Sequence, residues 1–278
     1  MIVSSSKKYG LPYQGSKRRI ADKIVALLPP APVLVDVFAG GCAITHAALE
    51  SGKFDRVIAN DLSDAPELFY RVAKSGGIKP RWVSRDEFFA LKDRDPLIRY
   101  LYSFGAGGTQ YMYGRDIEPL KYAAHRAVVD GDYSLLPNDI REPVRTALNS
   151  ALGIRERYLC YRSVLRELGK RFDLEHLACL ERLQTLEHLG SLERLQNLAH
   201  LERLTISRRD YRDVYIPDNA VVYCDPPYAS VGGFDHGPFY AWCRAIGRLF
   251  PLYVSEYWMP SDFKAVAEFE VSALYRKI

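Results

Sequence analysis

The chain has 278 residues, of which 48% are hydrophobic and 26% charged, which is the balance of an ordinary soluble globular protein. This length accommodates one large α/β domain, or one such domain with a smaller insertion. The formal net charge of +4 is compatible with a polyanionic partner without requiring one. Neither a signal peptide nor an apolar run long enough for a membrane span is present, and we expect no contact with a membrane.

The five cysteines are odd in number and include no Cys-x-x-Cys pair. That spacing disfavours both a disulfide framework and a zinc site. The composition therefore favours a protein of a reducing cytoplasm.

The first predicted element is a helix that follows the residues Tyr-Gln-Gly-Ser-Lys at positions 13–17. Apolar residues recur behind it at helical spacing, and Pro29 with Pro30 ends the pattern. Lys17 stands at the start of this helix, where a cation opposes the helix dipole. Solvated lysines are common in such positions, but a lysine that serves a ligand is the interpretation we favour.

Two apolar runs then predict buried strands, at residues 33–38 and 56–59. The first leads into a turn containing Gly40 and Gly41, which permits close approach of the backbone to a ligand. The second ends at Asp61, twenty residues beyond Gly41, about where nucleoside-binding α/β units place a ribose-binding acid. This order favours an adenosine-containing cofactor, although for the glycines alone a structural turn is the more frequent explanation. The missing G-x-G-x-x-G pattern argues against a dinucleotide.

The segment from residue 100 to residue 171 is rich in tyrosine, glycine and arginine. Cations interleaved with aromatic rings suit phosphate contact and base stacking. The alternative is a solvated helical surface with tyrosines packed beneath it. We take Arg115, Lys121 and Arg126 as the candidate DNA-binding residues of this segment.

Leucine recurs at every third position from Leu174 to Leu204. An α-helix turns 100° per residue, so this step would distribute the leucines around the whole circumference of one helix. A 3₁₀-like stretch, a small solenoid, or a helical hairpin broken at Gly190 all remain open. Residues 173–205 carry six acids and three arginines, a net of −3, so we expect a spacer or a protein contact here rather than DNA binding.

A further apolar run at residues 221–224 predicts a buried strand that ends in Asp225, Pro226, Pro227 and Tyr228. Prolines cannot donate to a sheet ladder, so the strand stops there and leaves Asp225 at its carboxyl end, where open α/β sheets bind ligands. The Asp225 carboxylate and the Pro226 carbonyl are two acceptors beside an aromatic ring, which suits the exocyclic amine of a planar heterocycle. A simple turn with Asp225 as a helix cap is the alternative.

Beyond this strand, Gly232 and Gly233 precede Phe234 and His236, and together they predict a loop that closes over a bound base. We assign His236 to positioning or phosphate contact rather than to base catalysis. A helix at residues 240–250 and a strand at residues 251–255 follow.

These stretches occur in the order seen in Dam-type (D12 class) DNA adenine-N6 methyltransferases, which the chain resembles over most of its length. The resemblance also includes residues 104–114, 234–243 and 255–260. One departure is the lead-in, where Tyr13 and Ser16 precede Lys17 and the family often has Trp-Ala-Gly-Gly-Lys. The resemblance implies S-adenosylmethionine as the cofactor, without a metal, and as its contacts Tyr13, Lys17, Asp36, Phe38, Gly40, Asp61 and Asp225.

The same resemblance implies that Asp225, Pro226 and Tyr228 act on the target adenine, with Phe234 and His236 contacting DNA. It implies an α/β fold, with a Rossmann-like methyltransferase sheet, an inserted and mainly helical target-recognition domain, and the leucine-repeat insert. We predict that residues 1–99 and 206–278 form the catalytic domain, 100–172 the recognition domain and 173–205 the insert.

The predicted activity is site-specific methylation of N6 of a flipped adenine in double-stranded DNA. We expect a monomeric protein that is encoded by a bacterium or a phage. A cytosine-N4 methyltransferase is the nearest alternative, disfavoured by Asp rather than Ser at position 225. An RNA or glutamine amine as substrate fits the basic middle segment less well. A non-catalytic DNA-binding or scaffold protein, using the leucine repeat for partners, is the alternative from another class.

Overall fold

The computed structural model describes residues 9–75, 78–148, 153–172, 182–192, 195, 198–228, 233–269 and 272–278. The chain divides into two compact units, the first formed by residues 1–77 and 194–278, the second by residues 78–193. The functional assignment of segments 1–99 with 206–278, 100–172 and 173–205 stays a prediction. In the structure the boundaries between the two compact units lie between residues 77 and 78 and between residues 193 and 194.

The first unit contains a mixed sheet, to which the described residues contribute seven strands. Their order is β3-β2-β1-β4-β5-β7-β6, in which β3, β2, β1, β4 and β5 are parallel and β7 is antiparallel to both β5 and β6. This arrangement is consistent with a methyltransferase fold and confirms the predicted α/β class. The strands are β1 Val33–Asp36, β2 Arg56–Asn60, β3 Leu204–Ser207, β4 Ala220–Cys224, β5 Leu252–Glu256, β6 Phe263–Phe269 and β7 Ser272–Lys277.

The described α-helices divide between the two units. Three of the first unit precede the second unit in the chain and one follows it. In chain order the helices are α1 Ala21–Leu27, α2 Ala43–Ser51, α3 Ala65–Ser75, α4 Arg85–Leu91, α5 Pro96–Leu101, α6 Glu118–His125, α7 Asn138–Ala147, α8 Ile154–Phe172, α9 Gln184–Leu192 and α10 His236–Ile246.

The two faces of the sheet are covered by different helices. On one face, Val35, Val222 and Val254 alternate with residues of the opposite face and pack with Phe239 and Cys243 of α10 in one buried core. On the other side, α2 contacts β1 and β2 and packs against α1, while α3 contacts β3. Burial on both faces explains why the central strands are continuous apolar runs.

The strand order reverses between β1 and β4, which are direct neighbours with Asp36 opposite Tyr223. In open α/β sheets, ligands bind outside the carboxyl ends of the strands at such a reversal. The carboxyl ends of β1, β2 and β4 carry Asp36, Asn60 with Asp61, and Asp225. Topology thus brings three of the predicted stretches to one edge of the sheet.

The second unit is helical in its described part and has an aromatic interior. Trp82 stacks on Tyr113 with ring centroids 5.7 Å apart, and Tyr111, Tyr158 and Tyr161 are buried. These tyrosines therefore support the packing of the unit, as in the alternative interpretation of the basic segment.

Part of the leucine repeat, residues 173–181, 193–194 and 196–197, lies outside the described residues. In its described part, α9 is an α-helix that continues through Gly190, and a 3₁₀ turn at Leu201–Arg203 leads into β3. Leu183, Leu192 and Leu195 are buried. Because the helix continues through Gly190, the break considered at that residue is wrong. A 3₁₀-like stretch or a small solenoid for the rest of the repeat stays a prediction.

Two details differ from the prediction. The first helix begins at Ala21, so Lys17 lies in the preceding turn, where the Ile20 N–H donates to the Lys17 carbonyl at 3.0 Å. The helix predicted at residues 240–250 begins at His236, because the Asp235 side chain caps it by accepting from the Gly237 N–H. In the described part of the chain, no helix combines the length and apolarity that a bilayer crossing requires.

Candidate active site

The Lys17 ammonium joins two stretches that are 208 residues apart in the sequence. It lies 2.6 Å from Oδ1 and 2.8 Å from Oδ2 of Asp225, and 4.6 Å from the centroid of the Tyr228 ring. Lys17 is 5% exposed, and the side chain of Asp225 is 15% exposed. A buried lysine that contacts both a carboxylate and an aromatic face is held in one place by charge and by the ring.

Burial and pairing act in opposite directions on this ion pair. Burial raises the pKa of Asp225, and the neighbouring ammonium offsets part of that increase. Burial also acts to lower the pKa of Lys17, but the Asp225 carboxylate outweighs it and the pKa of Lys17 is raised. Lys17 is therefore charged at neutral pH and favours the ionised form of Asp225.

The glycine turn after β1 is packed against Tyr13. Gly40 has φ +45°, and a Cβ on Gly40 would lie 2.9 Å from the Tyr13 ring. A Cβ on Gly41 would lie 2.6 Å from the Tyr13 Cβ, and the Leu11 N–H donates to the Gly41 carbonyl at 2.7 Å. Glycine is needed at both positions because the chain leading to Lys17 lies directly on the turn.

Asp61 supports the same turn from the end of β2. Its Oδ2 accepts from the Gly40 N–H and its Oδ1 from the Ser63 N–H, each at 2.8 Å. The Ala39 N–H also donates to the Asn60 carbonyl at 2.8 Å. The glycine turn and the predicted ribose-binding acid are therefore in direct contact.

Asp36, at the end of β1, is 1% exposed. Its Oδ2 accepts from the Thr45 hydroxyl at 2.7 Å, while its Oδ1 is buried and has no hydrogen-bond partner in the described part of the protein. Burial, with the charges of Asp225 and Asp61, raises the pKa of Asp36 to about 7. An unsatisfied buried carboxylate oxygen beside two further carboxylates is an environment that favours a positively charged ligand.

Phe38 lies in an aromatic cluster on the face of the sheet that α10 covers. Its ring is 5.6 Å from those of Tyr211 and Phe239 and 5.8 Å from that of Phe234. Phe38 and Phe234 are both half-buried. The cofactor contact predicted for Phe38 and the DNA contact predicted for Phe234 thus fall on two rings of one cluster, and both stay predictions.

His236 contacts a residue that the sequence did not single out. Its Nε2 lies 3.5 Å from Oε2 of Glu256, which is 2% exposed at the end of β5. Burial raises the pKa of Glu256. The next residue, Tyr257, is 56% exposed and its ring lies 4.6 Å from that of Tyr228. The sequence signal for both residues was available: they end the strand beside β4, at the same edge of the sheet.

The loop predicted to close over a bound base comprises residues 232–239. Gly232 lies outside the described residues. Residues 236–239 form the start of α10 and Phe239 is buried in the core, so for these residues a closing loop is wrong. Closure of residues 233–235 over a base stays a prediction. Pro226 is buried and Pro227 is exposed, at the end of β4.

The cations predicted to bind DNA have different environments within the second unit. Arg115 is exposed. Lys121 is 5% exposed, donates to the Arg182 carbonyl and lies 5.7 Å from the Tyr113 ring centroid. Arg126 pairs with Asp130 at 2.9 Å and Asp132 at 2.8 Å. The charges of Lys121 and Arg126 thus serve the unit's own structure, and their contact with DNA stays a prediction.

Among the described residues, no cluster of His, Cys, Asp and Glu is arranged to hold a metal ion. Residues 13–94 match the model of the D12 class N6 adenine-specific DNA methyltransferase family. The matched part includes Tyr13, Lys17, the glycine turn and Asp61, and the match confirms the resemblance over these residues. The members of that family methylate N6 of adenine in DNA. No curated protein matches the chain.

Proposed function

We propose that the protein transfers a methyl group from S-adenosylmethionine to N6 of an adenine that has been turned out of double-stranded DNA. The observation that carries this proposal is the contact of Lys17 with both Asp225 and Tyr228 at the strand reversal of the sheet. It places the acceptor group predicted for an amine beside a ring that can stack on a base, at the edge that also holds Asp36 and Asp61.

The residues at this edge fit the cofactor. Tyr13 offers a flat ring packed on the glycine turn, and Asp61 offers carboxylate oxygens for ribose hydroxyls. Asp36, Asp61 and Asp225 supply three carboxylates against the single ammonium of Lys17, so the cationic groups of the cofactor would complement them. When bound, the cofactor supplies an electrophilic methyl group carried on a positively charged sulfur.

Asp225 and Pro226 act on the adenine amine. Its lone pair is delocalised into the ring, so hydrogen bonds from both amine hydrogens to the Asp225 carboxylate and the Pro226 carbonyl make the nitrogen more nucleophilic. The amine must also lose a proton, and the Asp225 carboxylate accepts it, since burial raises the pKa of that group. Lys17 keeps Asp225 ionised before the transfer and orients it.

Tyr228 holds the adenine ring by stacking, and the exposed Tyr257 ring lies beside it. An amine inside a duplex cannot reach the strand ends of a sheet, so the base leaves the helix. The rate enhancement then depends mainly on positioning the amine in line with the methyl group.

The test uses the full-length protein with radiolabelled S-adenosylmethionine and duplex DNA, followed by digestion of the DNA to nucleosides. We expect label in N6-methyl-2′-deoxyadenosine. Asp225→Ala should abolish transfer while DNA affinity remains within about twofold. Asp218→Ala is a matched control, because Asp218 is exposed and precedes the amino end of the same strand.

Label in N4-methylcytosine would replace adenine with cytosine as the target. A wild-type protein that binds no S-adenosylmethionine, or an Asp225→Ala variant that methylates normally, would overturn the proposal.

A further inference from the structure

Helix α8, Ile154–Phe172, carries a concentration of positive charge. Its 19 residues include six Lys or Arg and two Glu, a net of +4, equal to the formal charge of the whole chain. The remaining 259 residues therefore have a net charge of zero by subtraction. No residue of this helix belongs to the candidate active site described above.

One face of α8 is buried in the second unit. Tyr158, Tyr161 and Leu165 follow helical spacing and are at most 7% exposed. Arg157 is used inward, because its guanidinium donates to the Ala127 carbonyl at 2.9 Å. This anchoring fixes which way the rest of the helix faces.

The outward face presents the other cations in a row. Arg155, Arg162, Arg166 and Lys170 lie at spacings of seven, four and four residues, so all four fall on one side of the helix. Arg155, Arg166 and Lys170 are exposed, and Arg162 lies 3.6 Å from Glu187. At 1.5 Å per residue the row is about 22 Å long. A depression of about 320 Å³ lies along it, lined by Leu159, Arg162, Ser163, Arg166, Glu167 and Lys170.

The charge and form of this row select a polyanion with regularly spaced charges. Lys121 and Arg126 lie outside this row, and their charges contact other groups of the same unit. A rigid helix with cations one turn apart can contact successive phosphates, and each contact releases counterions from the duplex. The helix has six cations and two acids, Glu156 and Glu167, so its charges do not alternate evenly in sign as on a typical solvated helix.

We propose that the outward face of α8, with Arg155, Arg166 and Lys170 as its principal contacts, binds the phosphate backbone of double-stranded DNA. The inference rests on the proposed function, because DNA is the substrate there. Within the basic segment 100–171, it assigns backbone contact to this row rather than to the candidates Arg115, Lys121 and Arg126. Such contacts position the protein without reading bases, so they act equally on all sequences.

The experiment compares two triple variants of the full-length protein, each lacking three positive charges. R155Q/R166Q/K170Q removes the row, and K79Q/R94Q/R145Q removes three exposed cations elsewhere in the second unit. The dissociation constant for a duplex oligonucleotide is measured at several salt concentrations. Each lost phosphate contact reduces the slope of log affinity against log salt by about 0.9, so we expect a reduction of about 2.7 for the row and almost none for the control.

We also expect R155Q/R166Q/K170Q to bind duplex DNA at least about tenfold more weakly at low salt. Its S-adenosylmethionine affinity should be unchanged, because no residue of the row lies in the first unit. If this variant does not fold, the single substitutions R166Q and K170Q should each reduce the slope by about 0.9.

Wild-type slope and affinity in R155Q/R166Q/K170Q, or an equal loss in the control variant, would overturn the inference. An unchanged DNA affinity with a loss of binding to polyglutamate would assign the face to an acidic protein, and overturn it as well. The proposed function would fail by a different result. If the wild-type protein binds DNA through this row but transfers no methyl group, the DNA-contact inference stands and the methyltransferase proposal is wrong.

Discussion

Lys17 is a buried cation of the first unit. Its ammonium is almost fully buried between the Asp225 carboxylate and the Tyr228 ring. Removing one partner of a buried ion pair leaves an uncompensated charge, which costs more than the pair itself contributes. Lys17 and Asp225 therefore affect stability together, whereas only Asp225 contacts the amine in the mechanism proposed above.

We expect Lys17→Met and Asp225→Asn each to lower the free energy of unfolding by about 3–5 kcal/mol. The double variant should lose less than the sum of the two, because neither charge is left without its partner. Urea unfolding of the four proteins gives this coupling. Strictly additive losses would contradict a direct ion pair.

Lys17→Met should also change the pH dependence of methyl transfer. Asp225 must be ionised to accept from the amine, and Lys17 lowers a pKa that burial raises. In Lys17→Met the acidic limb of the kcat profile should therefore move to higher pH. An Arg at position 17 would keep the charge, so Lys17→Arg should move the limb less, and an equal displacement would contradict the electrostatic role.

The raised pKa of Asp36 predicts that the free energy of unfolding depends on pH. Its pKa is about 7 in the folded protein and about 3.9 in an unfolded chain, so the folded state binds the extra proton between these values. Stability should therefore decrease as pH rises from about 4 to 7, by up to about 1.4 kcal/mol per pH unit from this group. Asp36→Asn keeps an acceptor for Thr45 and removes the titration.

The measurement is urea unfolding of cofactor-free protein at several pH values. Asp225 and Glu256, whose pKa values are also raised, keep part of the slope in the variant. An unchanged slope in Asp36→Asn would show that Asp36 does not hold the extra proton.

At the scale of elements, the turn between β1 and α2 connects two parts of the site. Tyr13 lies on Gly40 and Gly41, and Asp61 accepts from the Gly40 N–H. The turn thus fixes the position of the chain leading to Lys17 relative to the ends of β1 and β2. A side chain at this turn has to displace that chain.

Gly41→Ala should therefore weaken S-adenosylmethionine binding by at least about tenfold and reduce stability by about 1–3 kcal/mol, an ordinary overpacking penalty. The control is Gly52→Ala at the other end of α2. A Cβ there meets nothing within 4 Å, but the φ of +65° makes alanine unfavourable by about 1–2 kcal/mol. Calorimetric titration should show cofactor affinity lost in the first variant and kept in the second. Equal affinities would contradict the coupling of the turn to the site.

At the scale of the molecule, the two compact units separate the groups that we assign to cofactor and to DNA backbone. Every cofactor contact we propose lies in the first unit, and the α8 row lies in the second. A ligand that binds only the folded form stabilises it by about 2.7 kcal/mol at one hundred times its dissociation constant.

Hydrogen exchange should therefore show that S-adenosylmethionine protects peptides covering residues 36–41, 58–63 and 223–228. Peptides from α4 to α8 should exchange at rates closer to those of the free protein. Protection concentrated in the second unit would contradict the location of the cofactor site.

The sequence by itself determined four of the seven described strands, β1, β2, β4 and β5, and the residues at the ends of β1, β2 and β4. Val33–Asp36, Arg56–Asn60 and Ala220–Cys224 are continuous apolar runs because both faces of the sheet are covered, and Pro226 and Pro227 end the last of them. Such patterns are local, so they can be detected without knowing what packs against them.

Only the tertiary structure decided how charged residues are used. The pairing of Lys17 with Asp225 spans 208 residues, and no periodic pattern specifies a partner at that distance. Cations interleaved with tyrosines look the same in sequence whether they face phosphates or carbonyls. The fold buries Lys121 and turns Arg166 outward, because helix packing selects which side of each helix meets water.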